Sequence, residues 1–514
     1  MRSDYSIRML NRRRFLMGIG ALGVSSALPA CAQPRFTSYP FTLGVASGYP
    51  TQGGAVLWTR LTGLEAAVPV KWEVTADEAM KRVVTSGTSE AGQRWAHSVH
   101  VEVEGLEPDR WYWYRFSAGD AQSPVGRTRT APARDSAAQR LRFAFASCQH
   151  YEQGWFGAYR HMVADTPDLV AFLGDYIYES SWGRDHVRKH GAAEPYTLAD
   201  YRARHALYRG DPDLQAAHAA CPWVVTWDDH EVDNDYADDR PEDGMERDAF
   251  LARRAAAYQA YYEHMPLPRR MEPQGTRMRI HTELDWGGLA RFHVLDMRQY
   301  RSWQACPRPN RRGGSNTVDI EACPRLGAPG RTMLGRAQER WLEGALSESR
   351  AAWNVVAQTT TMSQLDQKPG PGRRAWTDGW DGYPAARQRF LNYISEKKIR
   401  NPVVIGGDVH SFNIANLKTD FDDADSPVVA SEFVGTSITS QAWPPERIRE
   451  YLPDNPHLVY AESGYRGYTR VEITPQRWTA DLRGMASVQE RGASCRTLAT
   501  YVVEDGKPGP LKAA

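Results

Sequence analysis

The sequence predicts an α/β domain preceded by a small all-β sandwich. Short β-rich segments separated by turn residues fill the region from about 40 to 130, and from about 141 onward buried strands alternate with helical stretches. The chain has 514 residues, which exceeds the usual size of one domain. We therefore expect a leader over 1–32, the sandwich over 40–130 and the α/β domain over 138–505.

The first 32 residues have the basic-then-apolar order of an export leader. Asn11–Met17 (NRRRFLM) carries paired arginines ahead of Phe-Leu, and Gly18–Leu28 is a Gly-rich apolar run too short to span a bilayer. This order resembles the twin-arginine export motif, whose translocon carries folded proteins. We expect that translocon as a partner, a periplasmic or secreted location, and no transmembrane span after leader removal. A general-secretory leader and a short anchor are the alternatives.

The cysteines bear on processing and on disulfide bonding. Cleavage after Ala32 is permitted, and Pro29 makes the LPAC segment a poor lipidation box, so lipid anchoring at Cys31 is the less favoured outcome. Cys306 and Cys323 flank a loop rich in Pro, Arg, Gly and Asn. They could pair in an oxidising compartment, although sequence alone does not establish the connectivity.

The charge pattern argues against a nucleic-acid-binding function. The formal net charge is +1, but the leader holds five arginines and one aspartate, so the rest of the chain is near −3. Nucleic acids and anionic membranes usually demand clustered positive charge. We expect neither as a partner.

Four short, β-rich segments form the predicted sandwich: Ala55–Trp58, Val68–Thr75, Val99–Val103 and Trp111–Phe116. The turn Gly105–Asp109 (GLEPD) leads into the aromatic run of the last segment. Fibronectin-type sandwiches have a similar Leu-x-Pro turn before a strand with a tyrosine corner. The region carries no obvious catalytic cluster.

Four strands of the α/β domain are largely apolar and rich in Val, Ile or Phe, which is typical of strands buried on both faces. They are Leu141–Ala146, Leu169–Leu173, Trp223–Thr226 and Val403–Ile405. Helices are expected between them at Trp155–Ala164, Thr197–Tyr208, Asp211–Ala220, Arg247–Glu263 and Ala385–Lys397.

These four strands end alike, because each runs into side chains that can bind metals. The endings are Ser147–His150 (SCQH), Gly174–Glu179 (GDYIYE), Trp227–Glu231 (WDDHE) and Gly406–His410 (GGDVH). The carboxyl ends of strands in open α/β sheets converge on a ligand crevice, so these side chains should meet. So many carboxylates would repel one another and bind protons unless a cation lay among them. The donors suit iron, zinc, manganese or calcium.

Each residue alone also has an ordinary structural explanation. Asp175 and Asp408 could cap following helices. Cys148 could be a buried core thiol and Tyr178 a packing aromatic. The histidines could be hydrogen-bonded side chains beside acids. Helix capping does not explain four strands with the same ending, so the joint pattern favours a metal site.

At these positions the chain resembles the PhoD-like alkaline phosphatases and phosphodiesterases of the calcineurin-like superfamily, relatives of the purple acid phosphatases. The similar segments are FLGDYIYE (Phe172–Glu179), PWVVTWDDHEVDN (Pro222–Asn234), Asp381–Tyr383 after Trp380, and GGDVH (Gly406–His410). The preceding sandwich and the leader fit as well. The resemblance implies a four-layer αββα metallophosphoesterase domain in an exported enzyme.

The resemblance also implies roles for individual residues. Ferric iron would be held by Cys148, Asp175, Tyr178 and His410, with Asp175 bridging to a second metal. Asp229 and Asp408 would bind that second metal. His230 would face the substrate as an acid or as a hydrogen-bond donor.

The nature of the second metal depends on a missing histidine. The superfamily carries a metal-binding His on an intermediate strand, whereas Val355–Thr360 (VVAQTT) has none. Oxygen-rich coordination favours calcium, with zinc or manganese as alternatives. Asn234 is a weaker candidate for substrate binding. Arg298 could bind phosphate or order a loop, and an ion pair with Asp296 is an equally good explanation of it.

The predicted reaction is hydrolysis of phosphate mono- or diesters by metal-activated water, with Asp175 and His230 as the catalytic residues. The alternative is a cell-surface binding protein whose metals are structural. A structural site would be closed, whereas a catalytic site keeps an open position. The abundance of carboxylates, without a closed Cys/His set, favours catalysis. The sequence does not decide between monoesters and diesters.

Overall fold

The computed structural model describes residues 35–513. The predicted leader over 1–32, its cleavage site and Cys31 lie outside the described residues. Over the part of the chain that is described, none of the helices has the length and apolar character needed to cross a membrane.

The first eight strands fill the region predicted to be a sandwich. They are β1 (Val45–Thr51), β2 (Gly54–Arg60), β3 (Val68–Thr75), β4 (Val83–Ala91), β5 (Ser98–Val103), β6 (Trp111–Ala118), β7 (Ala121–Gln122) and β8 (Gly126–Arg129). Strands β1, β2 and β5 lie in one sheet, and the others pair around β3 and β6 in a second sheet. Leu57 and Val101 from the first sheet share a core with Val70 and Tyr114 from the second. The predicted all-β sandwich is confirmed.

The remaining strands and the helices follow in chain order. The strands are β9 (Leu141–Ala146), β10 (Leu169–Leu173), β11 (Pro222–Thr226), β12 (Thr282–Trp286), β13 (Ala290–Val294), β14 (Thr317–Asp319), β15 (Trp353–Ala357), β16 (Arg374–Trp376), β17 (Pro402–Gly406), β18 (Phe412–Lys418), β19 (Val428–Val434), β20 (Leu458–Glu462), β21 (Gly467–Ile473), β22 (Arg477–Met485), β23 (Cys495–Glu504) and β24 (Lys507–Lys512). The helices are α1 (Ala158–Ala164), α2 (Leu198–Arg209), α3 (Pro212–Ala220), α4 (Arg247–His264), α5 (Arg336–Glu348), α6 (Pro384–Lys397) and α7 (Pro445–Tyr451). Helices α5 and α7 were not predicted.

Two of the predicted helices begin at clear capping signals. The Thr197 side chain accepts the backbone N–H of Asp200, whose carboxylate in turn accepts the backbone N–H of Thr197, which makes a capping box at the start of α2. Asp211 caps α3, with Pro212 at its first helical position. These caps fix where the helices start against the sheet.

Two large sheets form the α/β domain. The first has the order β24-β23-β22-β21-β9-β10-β11-β1-β2-β5, and the second has the order β12-β13-β15-β17-β19-β18-β20. Strands β9, β10 and β11 are parallel to one another, and so are β13, β15, β17 and β19. Phe143 of the first sheet packs edge-on against Phe292 of the second, with ring centroids 5.2 Å apart. The two sheets therefore face each other across the main core.

Alternate residues of the buried strands face opposite sides. Val355 and Val403 join the core between the sheets, whereas Val356 and Val404 join a separate cluster with Leu391 of α6. Both faces are thus covered, which explains the continuous apolar runs in the sequence. Helices α1–α4 cover the first sheet, and α5 and α6 cover the second, so the predicted four-layer αββα architecture is confirmed.

The sandwich shares a sheet with the α/β domain. Strand β1 pairs in parallel with β11, in the register Ser47↔Pro222 and Gly48↔Trp223. Strands β1, β2 and β5 therefore continue the ten-stranded sheet. The ten-stranded sheet therefore contains strands from both sides of a boundary near residue 130.

The α/β domain continues past its predicted end at 505. Strand β24 pairs with β23 and forms the edge of the ten-stranded sheet. Its sequence, KPGPLK, contains two prolines and a glycine, which are residues that strand patterns exclude. An edge position tolerates them, because only one side of an edge strand needs hydrogen-bond partners.

Cys306 and Cys323, whose pairing the sequence left open, form a disulfide. Cys148 and Cys221 are free and buried, and Cys495 is partly exposed. Disulfides persist mainly in oxidising compartments. The bridge is therefore consistent with an exported protein.

Candidate metal centre

The four predicted strand ends meet at one place. Strands β9 and β10 lie side by side and parallel, so Cys148 and Asp175 leave neighbouring carboxyl ends. Asp408 follows β17 in the facing sheet. A parallel bridge between Ser147 and Ser437 joins the two sheets at this point. The strand ends therefore converge from two facing sheets and not from the edge of a single open sheet.

Four of the predicted ligands stand at left-handed backbone positions. The φ angle is 58° at Cys148, 58° at Asp175, 64° at Asp408 and 54° at His410. Non-glycine residues rarely adopt this conformation, and each instance costs about 1–3 kcal/mol. Such strain persists where the surrounding structure fixes it, and it clusters at functional sites.

Two glycines allow the strand ends to approach one another. Gly174 has a φ of +91°, and a Cβ added there would lie 2.6 Å from the Cβ of Asp228. A Cβ at Gly407 would lie 2.3 Å from the Oγ of Ser147. The glycine before each aspartate is therefore required by packing between neighbouring strand ends.

Cys148, Asp175 and His410 form the first group of donors, with ligand atoms within 4.8 Å of one another. The Tyr178 hydroxyl donates to Oδ2 of Asp175 at 2.9 Å and lies 3.2 Å from Nε2 of His410. Nδ1 of His410 lies 2.6 Å from the carbonyl oxygen of Gln441. That contact places the ring proton on Nδ1 and leaves Nε2 free to coordinate. Thiolate, carboxylate, phenolate and imidazole together suit iron.

Burial dominates the electrostatics of this group. Burial, and then the Asp175 carboxylate, raise the pKa of the Cys148 thiol well above its ordinary value. The same two causes raise the pKa of the Tyr178 hydroxyl. Burial, and then Asp229, raise the pKa of Asp175 itself. Joint ionisation of these groups is unfavourable without added positive charge, which a bound cation would supply.

Three carboxylate oxygens of the predicted ligands have no hydrogen-bond partner among the described residues. They are Oδ1 of Asp175, Oδ1 of Asp229 and Oδ2 of Asp408, and each is closed to solvent. Burying a carboxylate oxygen without a hydrogen bond is unfavourable, and only Oδ1 of Asp229 has a nearby cation, Nη2 of Arg298 at 3.5 Å. All three belong to the residues predicted to hold the second metal. The oxygen-rich set fits a hard cation such as calcium.

His230 stands beside both groups of donors. Its Nδ1 lies 2.7 Å from Oε2 of Glu179, and its ligand atom lies within 4.8 Å of those of Asp175 and Asp229. Burial lowers the pKa of His230, but Glu179, Asp229 and Asp175 together raise it well above its ordinary value. Glu179 thus fixes the ring and favours its protonated form, which suits a proton donor.

The two residues predicted to bind substrate are engaged with acids. The side-chain amide of Asn234 donates to Glu242 at 2.7 Å. The guanidinium of Arg298 lies 2.6 Å and 3.0 Å from the two oxygens of Asp228, and 2.8 Å from Oδ2 of Asp378. Both side chains order the surroundings of the centre.

The alternative explanation of Arg298, an ion pair with Asp296, is wrong. Oδ1 of Asp296 accepts the backbone N–H of Arg298 at 3.0 Å and that of Gln299 at 3.0 Å. A carboxylate two residues away satisfies the local backbone, so the guanidinium is free to reach Asp228 across the core. The spacing of Asp-x-Arg does not distinguish these two arrangements.

Further acids of the centre were not identified as ligands. Asp228 groups with Asp175 and Asp408 within 4.8 Å, and Asp229 groups in the same way with Asp235 and Asp378. The two adjacent aspartates in Trp227–Glu231 (WDDHE) follow a buried strand, so this pattern also indicates Asp228 as a candidate ligand. Asp378 follows the short strand β16 and carries no motif.

Ser440 was also missed. Its hydroxyl lies 2.8 Å from the Tyr178 hydroxyl and 2.8 Å from the carbonyl oxygen of Cys148. It lies in the loop after β19, where no periodic pattern marks a site. Such a contact between distant parts of the chain follows only from the fold.

His150 turns away from the two donor groups. It groups with Glu152 and His190, and its ring centroid lies 4.6 Å from that of Tyr178. The histidine of the Cys-x-His pattern therefore packs behind the tyrosine.

A cavity of about 580 Å³ opens beside the centre. Asp408, Val409 and His410 form part of its wall. Aromatic and basic side chains form much of the rest: Trp182, Trp376, Trp380, Trp443, Arg184, Arg308 and Arg447. The buried centre therefore has one side that a ligand can reach.

Comparisons with known proteins identify the family. The sequence model of the PhoD-like phosphatases matches residues 143–482, and that of the PhoD-like phosphatase N-terminal domain matches residues 25–132. The chain is 46% identical to alkaline phosphatase D of Bacillus subtilis (strain 168) over 530 residues, covering 98% of this chain and 89% of that protein. A solved structure of PhoD has a TM-score of 0.89 at 47% identity, covering 94% of this chain and 93% of that one. A purple acid phosphatase from yellow lupin (Lupinus luteus) seeds has a TM-score of 0.57 at 11% identity. The match covers 91% of this chain and 74% of that one, and shows that the two share a fold. The chain belongs to the PhoD-like phosphatase family.

Proposed function

We propose that this protein is an exported, metal-dependent phosphoesterase, similar to alkaline phosphatase D, that hydrolyses phosphate mono- or diesters. Phosphoesterase activity follows from membership of the PhoD-like phosphatase family. Metal dependence is supported above all by one observation. Donors from four strand ends of two sheets meet in a buried place, and three of their carboxylate oxygens lack partners among the described residues.

The donor chemistry divides the centre into two ends. Iron, as Fe³⁺, would be held by Cys148, Asp175, Tyr178 and His410, and a second divalent metal would be held by Asp175, Asp229 and Asp408. Calcium suits the second set best, with zinc or manganese as alternatives. Such ions, when bound, neutralise charge on phosphoryl oxygens and activate water.

The remaining steps fall to residues of the chain. His230 would donate a proton to the oxygen of the departing alcohol, with Glu179 holding its ring at 2.7 Å. Arg298 would keep Asp228 and Asp378 in place. Burial excludes bulk water, which strengthens each of these electrostatic interactions.

The open cavity favours catalysis over a purely structural metal site. Asp408 and His410 form both part of the donor set and part of the cavity wall, so a ligand in the cavity would reach the centre. A structural site is closed by its ligands. The aromatic and arginine side chains around the cavity would contact the alcohol portion of an ester.

Removing the metals should remove the activity. We expect the purified protein to contain iron and a second divalent ion, and to hydrolyse a chromogenic phosphate monoester and the matching diester. Elemental analysis before and after treatment with a chelator, with kcat measured on the same samples, checks this. Activity should return when iron and calcium are added back. Full activity in metal-free protein would contradict the proposal, and the ratio of kcat/KM for the two esters gives the preferred class.

Export rests on the leader sequence and is consistent with the disulfide. Changing Arg12 and Arg13 to Lys should keep the protein in the cytoplasm, because the twin-arginine translocon reads that pair. Cell fractionation with immunoblotting measures the distribution, and Arg8→Lys, outside the pair, is the matched control. Unchanged export of the double variant would rule out the twin-arginine route.

A further inference from the structure

The loop closed by the disulfide reaches the oxygen-rich end of the metal centre. The loop runs from Cys306 to Cys323 and holds β14, which pairs with β16. The backbone N–H of Ser315 donates to Oδ2 of Asp235 at 3.1 Å. The backbone N–H of Asp235 donates in turn to Oδ2 of Asp229 at 2.6 Å. Two hydrogen bonds therefore connect the loop to a proposed ligand of the second metal.

A second set of contacts runs from the loop to Asp378. The backbone N–H of Asn316 donates to Oγ1 of Thr377 at 2.8 Å, and the N–H of Thr377 donates to the carbonyl oxygen of Asn316 at 2.8 Å. The side-chain amide of Asn316 donates to the carbonyl oxygen of Cys306 at 3.0 Å. Gln304, two residues before Cys306, donates to Oδ1 of Asp378 at 2.7 Å. The attachment at Asn316 therefore lies next to Cys306, one half of the bridge.

Polar contacts also hold this loop, because β14 pairs with β16 and because Arg311, Arg312 and Asp319 form ion pairs with Glu242, Glu246 and Arg374 respectively. Its apolar burial is small, since it packs against a hydrophobic cluster separate from the main core, of whose buried residues (Ala305, Cys323, Leu326 and Ala375) only Cys323 lies in the loop. A loop with so little apolar burial gains much of its order from a cross-link. The disulfide is one member of that small cluster and closes the loop at its base.

We propose that this disulfide-closed loop is a positioning element for the second-metal end of the centre. Ser315 and Asn316 hold Asp235 and Thr377, and through them they fix Asp229 and Asp378. Residues that orient metal ligands from behind typically change metal affinity by about 10- to 100-fold when they are removed. The iron end, built on β9, β10 and β17, has no residue in the loop. This inference rests on the proposed second metal.

Because a disulfide closes the loop, binding of the second metal should also depend on whether the surrounding compartment is oxidising or reducing. Forming the bridge joins two Sγ atoms, releases two protons and passes two electrons to a disulfide of the export compartment, which becomes two thiols. The chain would therefore bind its second metal tightly only after the bridge has formed. Iron binding would not wait for that step.

The test measures divalent-metal affinity separately from iron. Calcium alone is titrated calorimetrically into iron-loaded protein, for wild type and for the double variant Cys306→Ala with Cys323→Ala. We expect calcium to bind about 10- to 100-fold more weakly to the double variant, with the same iron content and the same visible absorption of the iron centre. Cys495→Ala, which removes a cysteine outside the loop, is the matched control.

The outcomes separate this inference from the proposed function. If wild type binds no second divalent metal, the two-metal proposal fails. If both proteins bind calcium equally while only the thermal stability of the double variant falls, the loop is merely structural and the inference is wrong. Ser315→Pro removes the N–H that reaches Asp235, whereas Ser315→Ala keeps it, so calcium affinity should fall only in the proline variant. This pair decides the question even if the cysteine variant does not fold.

Discussion

Asp175→Asn is expected to lower kcat for phosphate-ester hydrolysis by at least about 10³-fold, or ~4 kcal/mol of transition-state stabilisation. Asp175 is shared by three groups of potential ligands, one with Cys148 and His410 and two at the oxygen-rich end. The asparagine side chain has nearly the same shape but removes the negative charge. Both metals should therefore be bound less tightly, and elemental analysis should show less of each.

The matched control for this change is Asp213→Asn on α3, an aspartate that pairs with Arg160 away from the centre. It removes the same charge and should retain wild-type kcat and metal content. Full activity of Asp175→Asn at reduced metal content would contradict the proposed metal dependence. Circular dichroism on each variant shows whether the fold is retained. Burial of a carboxylate at 175 costs stability that an amide does not, so Asp175→Asn should remain folded.

The sequence predicted the strand ends of the centre but not their division between two sheets. Strands β10 and β17 are both short apolar runs followed by Gly-Asp or Gly-Gly-Asp, because both are buried on two faces. Nothing in such a run specifies its neighbours in the sheet. Strand β17 lies between β15 and β19, and these pairings depend on contacts distant in sequence. The resemblance to a known family supplied the layers that local pattern did not.

The contacts missed in the centre share a physical cause. Ser440 reaches Tyr178 across a separation of 262 residues, and Arg298 reaches Asp228 across 70. Both depend on which loops the fold brings together, and a serine or an arginine in a loop carries no periodic signal. The proposed ligands could be named from the sequence because they lie at the ends of buried strands, where a polar side chain needs an explanation. Supporting residues have no such position in the sequence.

His230→Asn is expected to slow hydrolysis of alkyl phosphate esters by about 10²- to 10⁴-fold, the usual contribution of a positioned general acid. An alkoxide is a poor leaving group and needs a proton as the ester bond breaks, whereas a nitrophenolate leaves without one. The same variant should therefore lose less than about tenfold on a nitrophenyl ester. Measuring kcat on both esters, for wild type and variant, gives the factor by which the substitution slows each reaction.

The difference between these two factors distinguishes proton transfer from simple binding. If His230 only donated a hydrogen bond to the phosphoryl group, which both esters share, the two factors would be equal. Equal factors would therefore contradict the general-acid role of His230 but would not contradict the proposed metal centre. Glu179→Gln is the matched test of positioning, since the glutamine can still contact Nδ1 but lacks the charge that raises the pKa of His230. Because Glu179 acts only through the ring, its replacement should reproduce the same preference for the nitrophenyl ester with a smaller loss on the alkyl ester.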